Sequence, residues 1–325
     1  MTAMRLILGL AAIAALGAAA SLVGSEYGLR LLNLAVIAAV SVVGLNFAFG
    51  YAGLITLGQS AFSGLGAYSL AILTTRLGWS PWLAAPAGIT VTAITAAAVG
   101  FPLLRLKGHY LALATLGLNV SVGIVAANWI EVTGGTNGIA GIPALSLFGR
   151  PLTGERAFLW FGLSVLAVLS LAASLLHRSR YGRAMMAVRD DETAALMIGI
   201  GVTGIKVAAF TLSGAYAAVA GCLFALHVQF ISPDDFGYAH SITSLSMLIV
   251  GGEGSITGAI LGAVLLTFLP EWLRFLGQGY LAFFGLMMLA ILIFLPRGLM
   301  GLVETWQTRR RGTAGALPAA GAVRS

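Results

Sequence analysis

Charge is scarce in this chain. Only 9% of its 325 residues are Asp, Glu, Lys or Arg, against roughly 25% in a soluble domain. Cysteine is scarcer still: Cys222 stands alone inside an apolar run, which excludes an intrachain disulfide and a cysteine-based metal cluster. Four histidines, at 109, 177, 227 and 240, form no His-x-x-x-His pair, so no metal site is expected. The stretch nearest to a phosphate loop, Gly251-Gly252-Glu253-Gly254-Ser255, lacks the Lys that the Walker pattern requires. Nucleotide chemistry is therefore expected of another subunit. The apolar runs hold no acid pair, which argues against a proton-coupled carrier. Nor is there a paired acid, a nucleophile with its base, or a metal set that would point to an enzyme.

What is present is apolar length. Hydrophobic residues make up 59% of the chain and the mean hydropathy is +0.97. No water-soluble core hides that much apolar surface, whereas a hydrocarbon layer about 30 Å thick needs helical runs of about 20 such residues. Candidate runs fall at 4–23, 29–49, 59–76, 81–104, 110–130, 157–176, 204–228, 240–251, 255–275 and 279–297. The fold class expected is an all-α polytopic integral membrane protein with about ten transmembrane or re-entrant helices. The 240–251 run is too short to cross alone and reads as a broken or re-entrant helix. The permease domain would be residues 1–303, with a basic tail at 304–325.

The net charge of +7 comes from Lys and Arg spread between apolar runs, so it makes no compact face for nucleic acid. It orients the chain instead. With the amino terminus in the cytoplasm, Arg105, Lys107, Arg178, Arg180, Arg183, Arg189, Lys206 and the arginines of the tail fall inside, while Arg30, Arg76, Arg150, Arg156 and Arg274 fall outside. Ten spans with both termini cytoplasmic fit this bias. A second reading makes the first run a cleaved signal peptide, because Arg5 precedes an apolar stretch ending Ala18-Ala19-Ala20-Ser21. The tail reads as a solvated end beside anionic lipid.

The longest polar stretch on the cytoplasmic side lies within 177–203. It reads as a surface helix with defined ends: Asp190 or Asp191 caps free amides, Glu192 adds charge to the first turn, and Gly199 stops the helix in the left-handed conformation. Ala194, Ala195, Leu196 and Ile198 would leave a small apolar knob for a partner's groove. The alternative is a connecting loop whose basic residues only set orientation.

Glycine is the other signal. Gly254, Gly258 and Gly262 recur every four residues and make a flat ridge for close helix packing. The segment Gly58 to Gly64 aligns with Gly252 to Gly258, each expected to open a helix at the cytoplasmic side, as in a parallel repeat of two halves. Glu253 would cost about 2.5–3.5 kcal/mol at membrane depth and little at the surface; both placements stay open. Asn46, Thr56, Gln59, Ser63, Thr115, Asn119, Ser213, Tyr216, Ser244 and Ser246 are polar groups inside runs, expected more to bond helix to helix than to line a path. An external loop at 131–156 contains Thr133, Gly134, Gly135, Thr136, Asn137 and Gly138. It is read either as contact for a soluble binding protein or as ordinary turn chemistry.

These stretches resemble a known family, the permease subunits of branched-chain amino acid (Liv-type) ABC importers. The resemblance rests on Tyr181-Gly182-Arg183, Ala187 and Arg189, Asp190-Asp191-Glu192, and Ala194-Ala195 with Gly199. Gly50-Tyr51-Ala52-Gly53-Leu54, Leu57-Gly58-Gln59, Gly64-Leu65-Gly66-Ala67-Tyr68, Leu104-Arg105-Leu106-Lys107-Gly108 and the closing Pro296-Arg297-Gly298-Leu299 agree. The loop Thr133 to Ile139 with Gly141-Ile142-Pro143 is similar to the signature of the LivM-type subunit rather than its LivH-type partner. The resemblance covers roughly residues 35–302. It departs at Ala259, where the family commonly has Pro, and at Glu253, a charge in a usually neutral slot.

The resemblance implies a type II importer-like bundle in the bacterial inner membrane. It implies a coupling segment, from Tyr181 to Gly199, that docks into an ATPase, with Arg183, Arg189 and Glu192 as docking groups. It further implies a second permease of LivH type, two ATP-binding cassette subunits that hold ATP and Mg, and an extracytoplasmic solute-binding protein. The expected solutes are branched-chain or related small amino acids, with urea or amides as the alternative within the family. A stand-alone secondary carrier is the alternative outside it, and transport by the chain alone without ATP would favour that.

Overall fold

The computed structural model describes residues 17, 25–147, 150–152, 154–273, 285–286, 289 and 298–301. The runs expected at 4–23 and 279–297 and the tail at 304–325 lie, apart from isolated positions, outside the described residues. Helix α1 spans Glu26–Leu45 and continues as a π-helical turn, Asn46–Tyr51. It is followed by α2 (Gln59–Thr75), α3 (Pro81–Leu103), α4 (His109–Asn128) and the single turn α5 (Ile130–Thr133). Then come α6 (Glu155–Arg178), α7 (Arg180–Asp190), α8 (Glu192–Met197), α9 (Val202–Val228), α10 (Tyr238–Gly251) and α11 (Ile256–Trp272). Strand content among the described residues is two short antiparallel pairs, Ile139–Ala140 with Phe230–Ile231 and Ser146–Leu147 with Arg150–Pro151.

Among the described residues, five elements are long and apolar enough to cross a membrane: 26–51, α3, α4, α6 and α9. The protein is a multi-pass membrane protein. α2 and α11 have 17 residues and α10 has 14, or about 26, 26 and 21 Å at 1.5 Å per residue. Each falls short of the about 30 Å hydrocarbon layer, as the sequence suggests for 240–251 and does not suggest for 59–76.

The elements alternate between two faces. At one face, Lys107 before α4 pairs with Glu192 at 3.4 Å, and Arg189 at the end of α7 pairs with Glu253 between α10 and α11. At the other, Trp82 Nε1 donates to the Ser146 carbonyl at 2.7 Å, Tyr27 Oη donates to Glu271 at 2.7 Å, and Asn33 Nδ2 donates to Glu155 at 2.7 Å. Lys107, Arg183, Arg189 and Lys206 find their partners at the first face.

α9 runs through the centre, packed on α1, α2 and α3. Small residues let the backbones approach. The buried positions of α3 are Ala84, Gly88, Thr92, Ala96 and Gly100, a step of four residues that keeps one small-residue face inward. Opposite this stripe, a Cβ on Gly214 of α9 would lie 2.8 Å from Ala96, and one on Gly100 2.8 Å from Phe210. The remaining faces of α3 and α4 are apolar and exposed, Leu83, Val91, Ile94, Leu113 and Ile124 among them, as lipid-facing or subunit-facing helices require.

One expectation is corrected. The glycine-rich segment before α11 sits at the first face, but the one before α2 does not. Residues 52–58 run inward without helix, and Gln59 begins α2 inside the bundle. There Gln59 Nε2 donates to the Ser41 carbonyl at 2.8 Å, and Ser213 Oγ donates to Gln59 Oε1 at 2.9 Å. Ser213 lies eleven residues into α9, about 16 Å along that helix. The two segments occupy different depths, which equivalent halves of a parallel repeat would not.

Candidate functional site

The segment 177–203 is two surface helices, α7 and α8, rather than one. Ser179 caps α7, its Oγ accepting from the amides of Tyr181 at 3.2 Å and Gly182 at 3.4 Å. Asp191 is the cap at the next break: Oδ1 accepts from Thr193 N at 2.7 Å and Ala194 N at 3.0 Å, and Glu192 follows in the first turn. Gly199 takes φ +83°, the left-handed stop read from the sequence. Gly182 is needed because the chain doubles back on α6: a Cβ there would collide with the carbonyls of Leu176 and His177.

The apolar knob differs in membership from the expectation. Ala195 is buried against Val188 and Val202. Leu196, Met197 and Ile198 project instead, 58%, 83% and 73% exposed. Met197 was not picked out by sequence reasoning, because a six-residue helix has too little periodicity to tell which residue turns inward.

The charged groups expected to dock a partner are largely engaged within the chain. Arg183 Nη1 donates to the Arg178 carbonyl at 2.9 Å and so closes the end of α6. Glu192 receives a hydrogen bond from Lys206, which is buried, and pairs with Lys107. Partial burial opposes charge on Glu192, yet Lys206 and then Lys107 outweigh it and hold the carboxyl below its ordinary range. Tyr181 and Asp190 stay exposed.

Arg189 is the hub. One guanidinium nitrogen donates to the Gly50 carbonyl in the π-helical turn, and another pairs with Glu253 at 2.5 Å. The π-turn leaves carbonyls out of register with the helix ladder, which is why one is free to receive the arginine. Gly254 N donates to Asn46 Oδ1 at 2.9 Å, closing the ring between α1, the α10–α11 turn and α7. Gly53, at φ +68°, packs on the Arg189 side chain: a Cβ there would sit 3.1 Å from Cγ. Glu253 is 43% exposed in its side chain, and its pairing with Arg189 offsets the cost of its charge.

The glycine ridge serves the α10–α11 hairpin. Gly252 and Gly254 take φ +113° and +77° and form the turn. Gly258 and Gly262 press on α10: a Cβ on Gly258 would lie 2.6 Å from the Gly251 carbonyl oxygen, and one on Gly262 would collide with that of Met247. The ridge is therefore Gly258 and Gly262 with Gly251, not Gly254. Gly64 receives Phe236, and Gly58 precedes α2 beside Thr115.

At the opposite face the loop 133–138 folds on itself. Thr133 Oγ1 donates to the carbonyls of Ala126 at 2.6 Å and Trp129 at 2.7 Å, and Gly134, Gly135 and Gly138 all have positive φ. Thr133 and Gly135 are buried, leaving Thr136 and Asn137 as the exposed tip.

Inside the bundle, polar groups join across helices. Leu57 N donates to Thr115 Oγ1 at 2.9 Å, and Asn119 Nδ2 donates to Ser241 Oγ at 2.8 Å. Ser60 N donates to the same Ser241 oxygen at 2.9 Å. Ser41, Ser60 and Ser241 were missed as members, since a lone serine in an apolar run carries no periodic signal.

A membrane bundle threaded by broken helices, with a capped surface segment wired into its turns, defines a transporter permease. The family model for the branched-chain amino acid transport system permease component matches residues 26–296, and the chain belongs to that family. It is 36% identical over 84% of its length to the high-affinity branched-chain amino acid transport system permease protein LivM of Salmonella typhimurium, covering 69% of that protein. It is 26% identical over 82% of its length to LivH of the same organism, covering 92% of it. The autoinducer 2 import system permease protein LsrC of Escherichia coli K12 / DH10B is 31% identical over 59% of this chain and 56% of that protein. No solved structure matches. Its relatives are permeases, so the chain is a non-catalytic transport component.

Proposed function

We propose that this chain is the LivM-type half of a permease pair that passes branched-chain or related small amino acids through a bacterial inner membrane. Its partner is a LivH-type permease, two ATP-binding cassette subunits carry the ATP and Mg, and an extracytoplasmic binding protein delivers the solute. Likeness to both LivM and LivH supports the pairing, since one system's two permeases are both recognisable in this single chain. The crowding of basic residues at the face of α7 and α8 supports a cytoplasmic position for that face and for both termini. Residues 1–303 then form the permease, with 304–325 a tail beside anionic lipid, and Thr136 and Asn137 meet the binding protein.

The observation that carries the mechanism is Arg189. The exposed Leu196, Met197 and Ile198 suit a cleft on the ATPase, while Arg189, a few residues before them, grips the π-turn of α1 and the α10–α11 turn. Movement of α7 and α8 then pulls on two helix breaks at once. The test is leucine uptake by the complete importer reconstituted in proteoliposomes. Arg189→Ala is expected to lose uptake at least about tenfold, as for loss of an interaction of about 1.4 kcal/mol, with ATP hydrolysis retained. Full uptake by Arg189→Ala, or uptake by this chain alone without ATP, overturns the reading. A solute of another class, urea or an amide, would overturn the amino acid assignment alone.

A further inference from the structure

Lys206 is a buried charge that the Arg189 route leaves unused. It lies in the second turn of α9 and is 5% exposed, although a lysine near a helix end ordinarily reaches its ammonium out to water. The acid it meets is Glu192, the first residue of α8. A desolvated ammonium is held best by such a counter-charge. The other oxygen of Glu192 faces Lys107 at 3.4 Å, but that lysine's side chain is 77% exposed. One carboxylate therefore carries a buried arm and a wet one, and the wet arm is weakened by water and salt.

The chain between the two helices shows what the buried arm spans. Residues 198–201 read Ile-Gly-Ile-Gly. Gly199 and Gly201 are exposed, and a Cβ added to either would meet nothing within 4 Å. Exposed glycines without neighbours yield easily in φ and ψ, and a few such residues at the end of an element are where hinges form. Left to this linker, a push on α8 would bend the chain rather than move α9.

Two contacts bypass the linker. Ala195 of α8 packs with Val188 of α7 and Val202 of α9, and Glu192 pairs with Lys206 across 14 residues of sequence. The apolar contact is thin, being made by three small side chains. The ion pair reaches one turn further into α9 and fixes the direction of α8 against it.

We infer that Lys206 is a positioning residue for coupling: it braces α8 against α9 across the glycine linker, so that displacement of α8 moves the central helix of the bundle. The inference rests on the reading of α7 and α8 as the segment that the ATPase moves. It adds α9, packed on α1, α2 and α3, to the two helix breaks reached through Arg189. It also gives Glu192 an inward role in place of docking.

The experiment uses the complete importer in proteoliposomes, read as leucine moved per ATP hydrolysed. Lys206→Met keeps an apolar stem and removes the charge, and it is expected to lower that ratio about tenfold, with assembly and ATP hydrolysis kept. Lys107→Ala, which acts on the same carboxylate, is expected to change the ratio less than about twofold. A merely structural lysine would lower the amount of assembled protein and leave the ratio alone. In a Cys222→Ala background, Glu192→Cys with Lys206→Cys is expected to uncouple as Lys206→Met does. A short bismaleimide joining the two thiols is then expected to restore the ratio, since a covalent brace replaces the ionic one. A wild-type ratio in Lys206→Met or in the unlinked cysteine pair overturns the brace, as does cross-linking that fails to restore transport, while the importer's function stands. Uptake unchanged by Arg189→Ala, or wild type that moves no leucine, overturns the function instead. If Lys206→Met fails to assemble, the cysteine pair, which removes both charges together, decides.

Discussion

Two glycine-rich breaks, before α2 and before α11, read almost alike in sequence and are held by different forces. The break at 252–255 lies at the face of the bundle, where Glu253 pairs with Arg189 and Gly254 N donates to Asn46. The break at 52–58 leads into the interior and is held by neutral groups: Thr115, Asn119, Ser241, Gln59 and Ser213. Glycine permits a break in either setting. The surroundings decide the bonding, because an ion pair costs less where water shares the desolvation, whereas buried amides and hydroxyls must satisfy each other.

Substitutions sharpen the contrast when ordered by expected effect. Gly262→Leu drives a side chain into the Met247 carbonyl of the α10–α11 hairpin. It is expected to cost more than about 3 kcal/mol, since backbone cannot yield as a side chain can, and to remove folded protein from the membrane fraction. Gln59→Leu strands the Ser213 hydroxyl, with an expected loss of about 2 kcal/mol, read as a lower denaturation temperature in detergent.

At the surface break, Glu253→Gln is expected to cost less than about 1 kcal/mol, as exposed pairs do, and raised salt should shrink the difference from wild type. The same Gln59→Leu loss should be insensitive to salt. If Glu253→Gln proved the costlier, or Gln59→Leu the more salt-dependent, the contrast between the breaks would fail.

Acid provides the smallest effect. Glu192 has its carboxyl lowered from 4.5 in the folded chain, so its pairing with Lys206 and Lys107 contributes fully above about that pH and is lost as pH falls below it. The expected loss is under about 1 kcal/mol, because Glu192 is partly exposed and Lys107 largely so. Glu192→Gln should flatten the stability profile between pH 5 and 3 without changing its shape above.

Much of the fold was legible because apolar length is a local property. The runs at 81–104, 110–130, 157–176 and 204–228 reappear as α3, α4, α6 and α9 within a few residues. Asp191 as cap and Gly199 as stop were legible for the same reason, since each acts on amides within its own turn. What escaped is long-range. Nothing near Gly50 announces that its carbonyl will receive Arg189, 139 residues away. The depth of Gln59 depends on Ser41 and Ser213 together, and the inward turn of Ala195 depends on Val188 and Val202. The stripe of small residues on α3 was written in the sequence at a step of four, though hidden among many other alanines and glycines.

Helix α9 has a mechanical consequence. It starts at Val202, just after the surface segment, and ends at Val228, beside the strand that pairs with the loop at the opposite face. Its 27 residues make an unbroken lever about 40 Å long. Pivoting by about 5° about its midpoint would swing both tips by about 1.7 Å in opposite directions on that length. A nudge at one surface could therefore be felt at the other without any intervening residue changing its rotamer.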